Sequence, residues 1–170
     1  SQPICPPLFS EIGDRILTST SALELEEVPE RLLVVGGGYI GLEMGTVYSS
    51  LGSQVSVVEM TGDLLTGVDR DLVRPLFTRL KSQFHNIYLN TKVVSCELKD
   101  NRIAVQFEGE VKTSSYDRIL VAVGRKPNTV DIGLESTGVK TDGHGFIQVD
   151  AKFQTDESSI FAIGDVIGGV

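Results

Sequence analysis

The sequence predicts an α/β protein: a parallel sheet joined by crossover helices, with a three-stranded antiparallel meander set against it. Three observations predict it. Short continuous apolar runs, such as Leu32-Leu33-Val34-Val35 and Ile119-Leu120-Val121-Ala122-Val123, have the pattern of strands buried on both faces. The stretches Tyr39 to Leu51 and Asp69 to Phe84 repeat apolar residues at helical spacing. From about Val93 to Val111 the alternation has period two.

Taken in order, the first twenty residues are rich in Pro and Ser and weakly periodic, and read as an extended arm. The run at Leu32 is the first buried strand, ended by Gly36-Gly37-Gly38. The helix from Tyr39 carries Ile40, Met44, Val47 and Leu51 in register and stops at Gly52. Gly41 and Gly45 lie on another face, where absent side chains permit close backbone approach. Gln54 to Glu59 is a second buried strand ending in an acid. The second helix aligns Leu72, Leu76, Leu80 and Phe84, and tolerates Pro75 if it begins near Leu72. Ile87-Tyr88-Leu89 is a third strand. The meander turns at Asp100-Asn101 and at Glu108-Gly109-Glu110, and Tyr116 to Val123 returns as a buried strand. Strand–helix units in series require right-handed crossovers and hence parallel strands. The meander then covers the face that a further helix would occupy.

Composition narrows the classes. Apolar residues make up 41% of 170, enough for one domain with a real core. The chain shows no run of roughly 18 apolar residues and no signal-peptide pattern in Ser1 to Pro7. Fifteen basic against 23 acidic residues give a net charge of −8, which disfavours nucleic acid and anionic membranes as partners. A single phosphate-bearing ligand remains compatible, because backbone N–H groups can supply a local positive field. Cys5 and Cys96 stand far apart with no metal or redox spacing, and read as two reduced thiols of a cytoplasmic protein. His85 and His144 are equally isolated, so no metal site is expected.

Gly36-x-Gly38-x-x-Gly41 follows the first strand and opens the first helix. That context makes it a dinucleotide fingerprint: a tight turn, a close backbone approach for a pyrophosphate, and close helix–sheet packing. The positive end of the helix dipole faces the same phosphates. Glu59, eighteen residues after Gly41, completes the pattern at the tip of the next strand. Its carboxylate can accept from both ribose hydroxyls of NAD, whereas the 2′-phosphate of NADP would face it charge to charge. At 4 Å and an effective dielectric near 20, two unit charges repel by roughly 4 kcal/mol. No arginine follows Glu59 directly, and Arg70 is distant in sequence. NAD is therefore the expected nucleotide. Glu43, one turn beyond Tyr39, reads either as a buried acid accepting a hydrogen bond or as a carboxylate on the solvated side of the helix.

The run from Leu33 to Gly45, continued by Leu51-Gly52-Ser53 and Val57-Val58-Glu59-Met60, resembles the dihydrolipoamide dehydrogenases of the flavoprotein pyridine nucleotide-disulfide oxidoreductase family. Asp117 to Asn128 resembles their D-x-x-L-x-A-x-G-R-x-P-N stretch, and Ile160 to Val166 their I-F-A-I-G-D-V stretch. The resemblance covers nearly the whole chain and implies a Rossmann-like β/β/α FAD/NAD-binding fold. It implies Gly36, Gly38 and Gly41 at the pyrophosphate, Glu59 at the adenosine ribose and the Val93 backbone at the adenine. It further implies Glu43 at the nicotinamide carboxamide, Tyr39 over the nicotinamide pocket, Gly124 near the nicotinamide and Asp165 at the ribityl chain of FAD. Ile40 and Met60, adjacent to these, join the candidate cofactor-binding residues.

By the same resemblance the chain divides into an arm from a flavin domain (1–27), an NAD-binding domain (28–128) and a return segment ending at the Gly-Asp motif (129–170). The family's FAD fingerprint, its C-x-x-x-x-C pair and its C-terminal His–Glu pair do not occur in this sequence. The chain thus reads as a fragment that only binds NAD. Its parent would pass electrons from dihydrolipoyl groups through a disulfide and FAD to NAD⁺, with flavin and dimerisation domains and a 2-oxoacid dehydrogenase complex as partners. Three other readings stand beside it: another NADH-dependent flavoprotein (an oxidase or disulfide reductase), a free-standing NAD-binding module, and a methyltransferase. The last leaves the Gly-Arg-Lys-Pro-Asn and Gly-Asp motifs and the meander without a place.

Overall fold

A computed structural model describes residues 1–108 and 113–168. They fall into two compact units, Cys5–Val123 and a smaller one of Ser1–Ile4 with Gly124–Val170. In chain order the elements are β1 (Gln2–Pro3), α1 (Pro7–Ser10), β2 (Ile16–Leu17), β3 (Arg31–Val35), α2 (Tyr39–Ser50), β4 (Gln54–Val58) and α3 (Arg70–Gln83). There follow β5 (Asn86–Tyr88), β6 (Val93–Lys99), β7 (Arg102–Phe107), β8 (Ser114–Tyr116), β9 (Arg118–Val121) and β10 (Arg125–Lys126).

The larger unit is built on a parallel sheet of order β2-β9-β3-β4-β5. Val35 lies level with both Val58 and Val121, so β3, β4 and β9 end on one rim. Successive side chains of a strand point to opposite faces, and here each face is covered. Leu32, Val34, Val55, Val57 and Leu120 pack with Leu42, Met44 and Tyr48 of α2 and Val73 and Leu80 of α3. Leu33, Val58, Ile119 and Val121 pack on the other face with Ile103, Val105, Phe107 and Tyr116 of the meander β6-β7-β8. The predicted α/β architecture is the observed one. Asp100 and Asn101 both take positive φ, 49° and 62°, as a tight β6–β7 hairpin requires. Of the second predicted turn, Gly109 and Glu110 lie outside the described residues.

Several finer expectations change. In α2 the buried stripe is Gly41, Leu42, Met44, Gly45 and Tyr48, while Val47 and Leu51 of the apolar register are exposed. The glycines decide this, because a Cβ on Gly45 would already stand 3.1 Å from the Phe84 ring and 3.5 Å from Val55. In α3 the stripe runs through Val73, Leu76, Phe77 and Leu80, leaving Leu72 68% exposed. The helix begins at Arg70, directly after Asp69, so Pro75 sits in its second turn rather than its first. Pro75 offers no N–H to the Asp71 carbonyl, and both residues lie on the exposed side of the helix.

The stretch read as an extended arm also packs. Phe9, Ile12 and Ala22 are buried and β2 pairs with β9, so this stretch packs within the compact unit Cys5–Val123. The Tyr48 hydroxyl donates to the Ala22 carbonyl at 2.9 Å, tying this stretch to α2. At the start of β3 and β9, the Asp117 carboxylate accepts from the Arg31 N–H at 2.8 Å and pairs with Arg102 of β7 at 3.1 Å. Arg102 also reaches Glu30, fastening the meander to the start of β3.

In the smaller unit β1 pairs antiparallel with β10, and the Ile4 N–H donates to the Gly124 carbonyl. Asp142 accepts from the N–H groups of His144 and Phe146, and Asp150 from those of Lys152 and Gln154, building two similar turns. Those N–H bonds, that of Phe146 foremost, hold the Asp142 carboxyl below its ordinary range.

Replacing Tyr48 by Phe leaves the buried Ala22 carbonyl without its donor and is expected to cost about 1–2 kcal/mol. Urea unfolding followed by circular dichroism reads this as a lower midpoint with an unchanged slope.

Candidate functional site

The rim where β3, β4 and β9 end is crowded by backbone. Gly36 leaves β3 with φ +109°, its N–H donating to the Val58 carbonyl at 2.9 Å. A Cβ there would stand 2.4 Å from the Ala122 carbonyl oxygen of the chain leaving β9. A Cβ on Gly41 would stand 2.3 Å from the Gly36 carbonyl oxygen and 3.0 Å from Val34. Two of the three glycines are therefore fixed by steric necessity. Gly38 differs: it is the N-cap of α2 with ordinary φ −78°, and nothing lies within 4 Å of where its Cβ would be. No side chain caps α2 and no acid occupies its first turn. The N–H groups of that turn have no intrahelical acceptor and carry the positive end of the helix dipole.

Beside this turn stands Glu59, one residue past β4 and half-buried. The Gly37 N–H donates to its Oε2 at 2.8 Å. The Thr61 N–H and hydroxyl donate to its Oε1 at 2.8 and 2.9 Å. The carboxylate is thus oriented by its own chain next to the uncapped helix start. The loop after it folds back over the glycines. Leu64 is 1% exposed and sits against Gly37, and the Leu65 N–H donates to the Gly37 carbonyl. Arg70 fixes that loop by donating to the carbonyls of Leu64, Leu65 and Val68 and by pairing with Asp63 at 3.3 Å. Thr61, Leu64 and Arg70 are parts of the site that no motif in the sequence marks. The available signal was the pair Leu64-Leu65 inside an otherwise polar loop between two glycines.

The other predicted residues disperse. Tyr39 is 60% exposed at the start of α2, and Ile40 is partly buried against the helix-side core. Glu43 is exposed, correcting the alternative of a buried acid, because it lies opposite the Gly41–Gly45–Tyr48 stripe. Met60 is exposed beside Glu59. The Val93 side chain is buried in the meander-side core, two residues after Thr91, whose N–H donates to the Glu59 carbonyl. Gly124 and Asp165 belong to the smaller unit. Asp165 accepts a hydrogen bond from the Ser1 hydroxyl and lies 3.8 Å from Arg125 Nε, and Arg125 also donates to Ser1. The Ser1 hydroxyl, and after it Arg125, hold the Asp165 carboxyl below its usual range.

Among the described residues no group of three His, Cys, Asp or Glu is placed to hold a metal, and no helix is long and apolar enough to cross a membrane. Cys5 and Cys96 are free thiols, and burial pushes that of Cys96 up to about 11.

Residues 1–170 match the family described as pyridine nucleotide-disulphide oxidoreductase. The chain belongs to that family. It is 47% identical over 171 residues to a dihydrolipoyl dehydrogenase of Vibrio parahaemolyticus, covering 99% of this chain and 36% of that protein. Against a dihydrolipoyl dehydrogenase of Geobacillus stearothermophilus the identity is 42% over 171 residues, with the same shares covered. The HOCl-induced flavoprotein disulfide reductase of Escherichia coli superposes with a TM-score of 0.87 at 32% identity, over 99% of this chain and 39% of that one. The chain spans little more than a third of the length of these relatives.

The geometry separates the two kinds of glycine. Gly36→Ala combines a positive φ with a backbone clash and is expected to cost at least about 2 kcal/mol. Gly38→Ala is expected to stay within about 0.5 kcal/mol of the parent. Denaturant titration of both variants checks the contrast.

Proposed function

We propose that the rim binds NAD(H), with the pyrophosphate on the first turn of α2 and the adenosine ribose on Glu59. The observation that carries the reading is the placement of an oriented carboxylate directly beside an uncapped helix N-terminus. The fit is structural: Gly38 leaves open space where a phosphate would approach, and the N–H groups behind it lack acceptors. Gly36 and Gly41 hold that surface in place by close packing. Glu59 accepts ribose hydroxyls and repels a 2′-phosphate, which favours NAD over NADP. Arg70 is occupied by loop carbonyls and Asp63, so it is not poised to neutralise that phosphate. Tyr39 and Glu43, on the exposed side of α2, are available to the nicotinamide half, and Val93 and Met60 border the adenosine half.

Within a dihydrolipoyl dehydrogenase, bound NAD⁺ supplies the two-electron acceptor for reaction at dihydrolipoyl groups. This chain's residues would orient it and fix which nucleotide is accepted. The resemblance to dihydrolipoyl dehydrogenases at 42–47% identity supports that parent activity, with further flavin and dimerisation domains and a 2-oxoacid dehydrogenase complex as its partners. Asp165 is the residue here tied to FAD by resemblance, and one acid already bonded to Ser1 does not make a flavin site. Alone, the chain binds NAD without turning it over.

Titration of the chain with NADH and with NADPH, by nicotinamide fluorescence and calorimetry, is expected to show at least about tenfold preference for NADH. Glu59→Arg is expected to abolish or reverse that preference. A preference for NADPH in the unaltered chain contradicts the reading.

A further inference from the structure

We propose that Thr61 is a positioning residue that sets the nucleotide preference of this rim, aiming the Glu59 carboxylate at the ribose and releasing one carboxylate oxygen to the incoming diol. That role rests on the NAD reading above. A carboxylate offers about four acceptor directions. Three are already taken, one on Oε2 by the Gly37 N–H and two on Oε1 by the Thr61 N–H and hydroxyl. The donors come from the turn after β3 and from the chain after β4, so the carboxylate is held from two sides and its swing is restricted.

The Thr61 hydroxyl has one proton and more than one place to put it. Glu59 Oε1 and the Asp63 carbonyl oxygen both lie 2.9 Å from it, and the Thr66 hydroxyl lies at 3.2 Å. Rotation about the Cβ–Oγ bond moves the proton from Glu59 to Asp63 without moving a heavy atom. Turned to Glu59, it fixes the carboxylate in the free protein. Turned to Asp63, it frees a lone pair on Oε1 for a ribose hydroxyl, while the Thr61 N–H keeps that oxygen in place. The acceptor at Asp63 is itself anchored, because Arg70 pairs with its carboxylate and holds the carbonyls that follow. A 2′-phosphate brings no hydroxyl proton to this arrangement and meets a carboxylate that cannot turn aside.

Thr61 is exposed, so its replacement disturbs little packing. The test is calorimetric titration with NADH and NADPH of the chain and its Thr61→Val, Thr61→Ser, Glu59→Ala and Glu59→Ala/Thr61→Val variants, with thermal unfolding alongside. Thr61→Val is expected to weaken NADH about three- to tenfold. NADPH affinity and the unfolding midpoint should stay in place, and Thr61→Ser should restore NADH binding. In the Glu59→Ala background Thr61→Val should add nothing further. If Thr61→Val leaves the NADH:NADPH ratio unchanged while Glu59→Ala lowers it, the role of Thr61 is overturned and the NAD reading stands. If the unaltered chain shows no preference for NADH, or Glu59→Ala leaves a preference untouched, the NAD reading fails and the role of Thr61 with it.

Discussion

The close approach of three backbones at Gly36 sets the geometry of the rim. The Gly36 position nearly touches the Ala122 carbonyl, and the Gly36 carbonyl nearly touches Gly41. These contacts draw β9, β3 and α2 together more tightly than any side chain would allow. They bring the start of α2 down onto the end of the sheet, so its free N–H groups face outward at the level where β4 delivers Glu59. This is also where the strand order reverses, with β4 on one side of β3 and β9 on the other. Open α/β sheets present their ligand crevice at such a point.

Two opposing electrostatic demands meet at this rim. A phosphate needs a positive field, yet the chain carries a net charge of −8 and places a carboxylate beside the proposed phosphate position. The backbone reconciles them. Peptide N–H groups of Gly37 and Thr61 satisfy Glu59, and in the proposed mode those of the first α2 turn would meet the phosphates. No lysine or arginine is required, which leaves nothing there to welcome an additional phosphate. The one arginine of the loop, Arg70, is spent on main-chain carbonyls that hold Leu64 over Gly37.

What could be read from the sequence follows the range of the interactions. The strand, glycine turn, helix and second strand from Arg31 to Glu59 are contiguous, and their periodicities reveal them. The meander shows through its alternation and the Asp100-Asn101 turn. Features set by distant partners were hidden. The helix stripe followed the glycines rather than the apolar register because Phe84 and Val55 press against Gly45. Residues before Val28 joined the core through contacts as distant in sequence as Tyr48 to Ala22 and β2 to β9. Pro75 stands inside α3 at an exposed position. The grip of Thr61 on Glu59 is only two residues long, but hydroxyl-to-carboxylate spacing is too common to mark it, and the Leu64-Leu65 pair is the one trace of the loop that folds over Gly37.

The most direct test of the account is amide-resolved NMR of the ¹⁵N-labelled chain during titration with NAD⁺. The earliest and largest shifts are expected at Gly37 to Gly41 and at Glu59 to Thr61, where the free N–H groups and the oriented carboxylate meet. Binding that moves other amides while leaving both of these segments undisturbed would contradict the account.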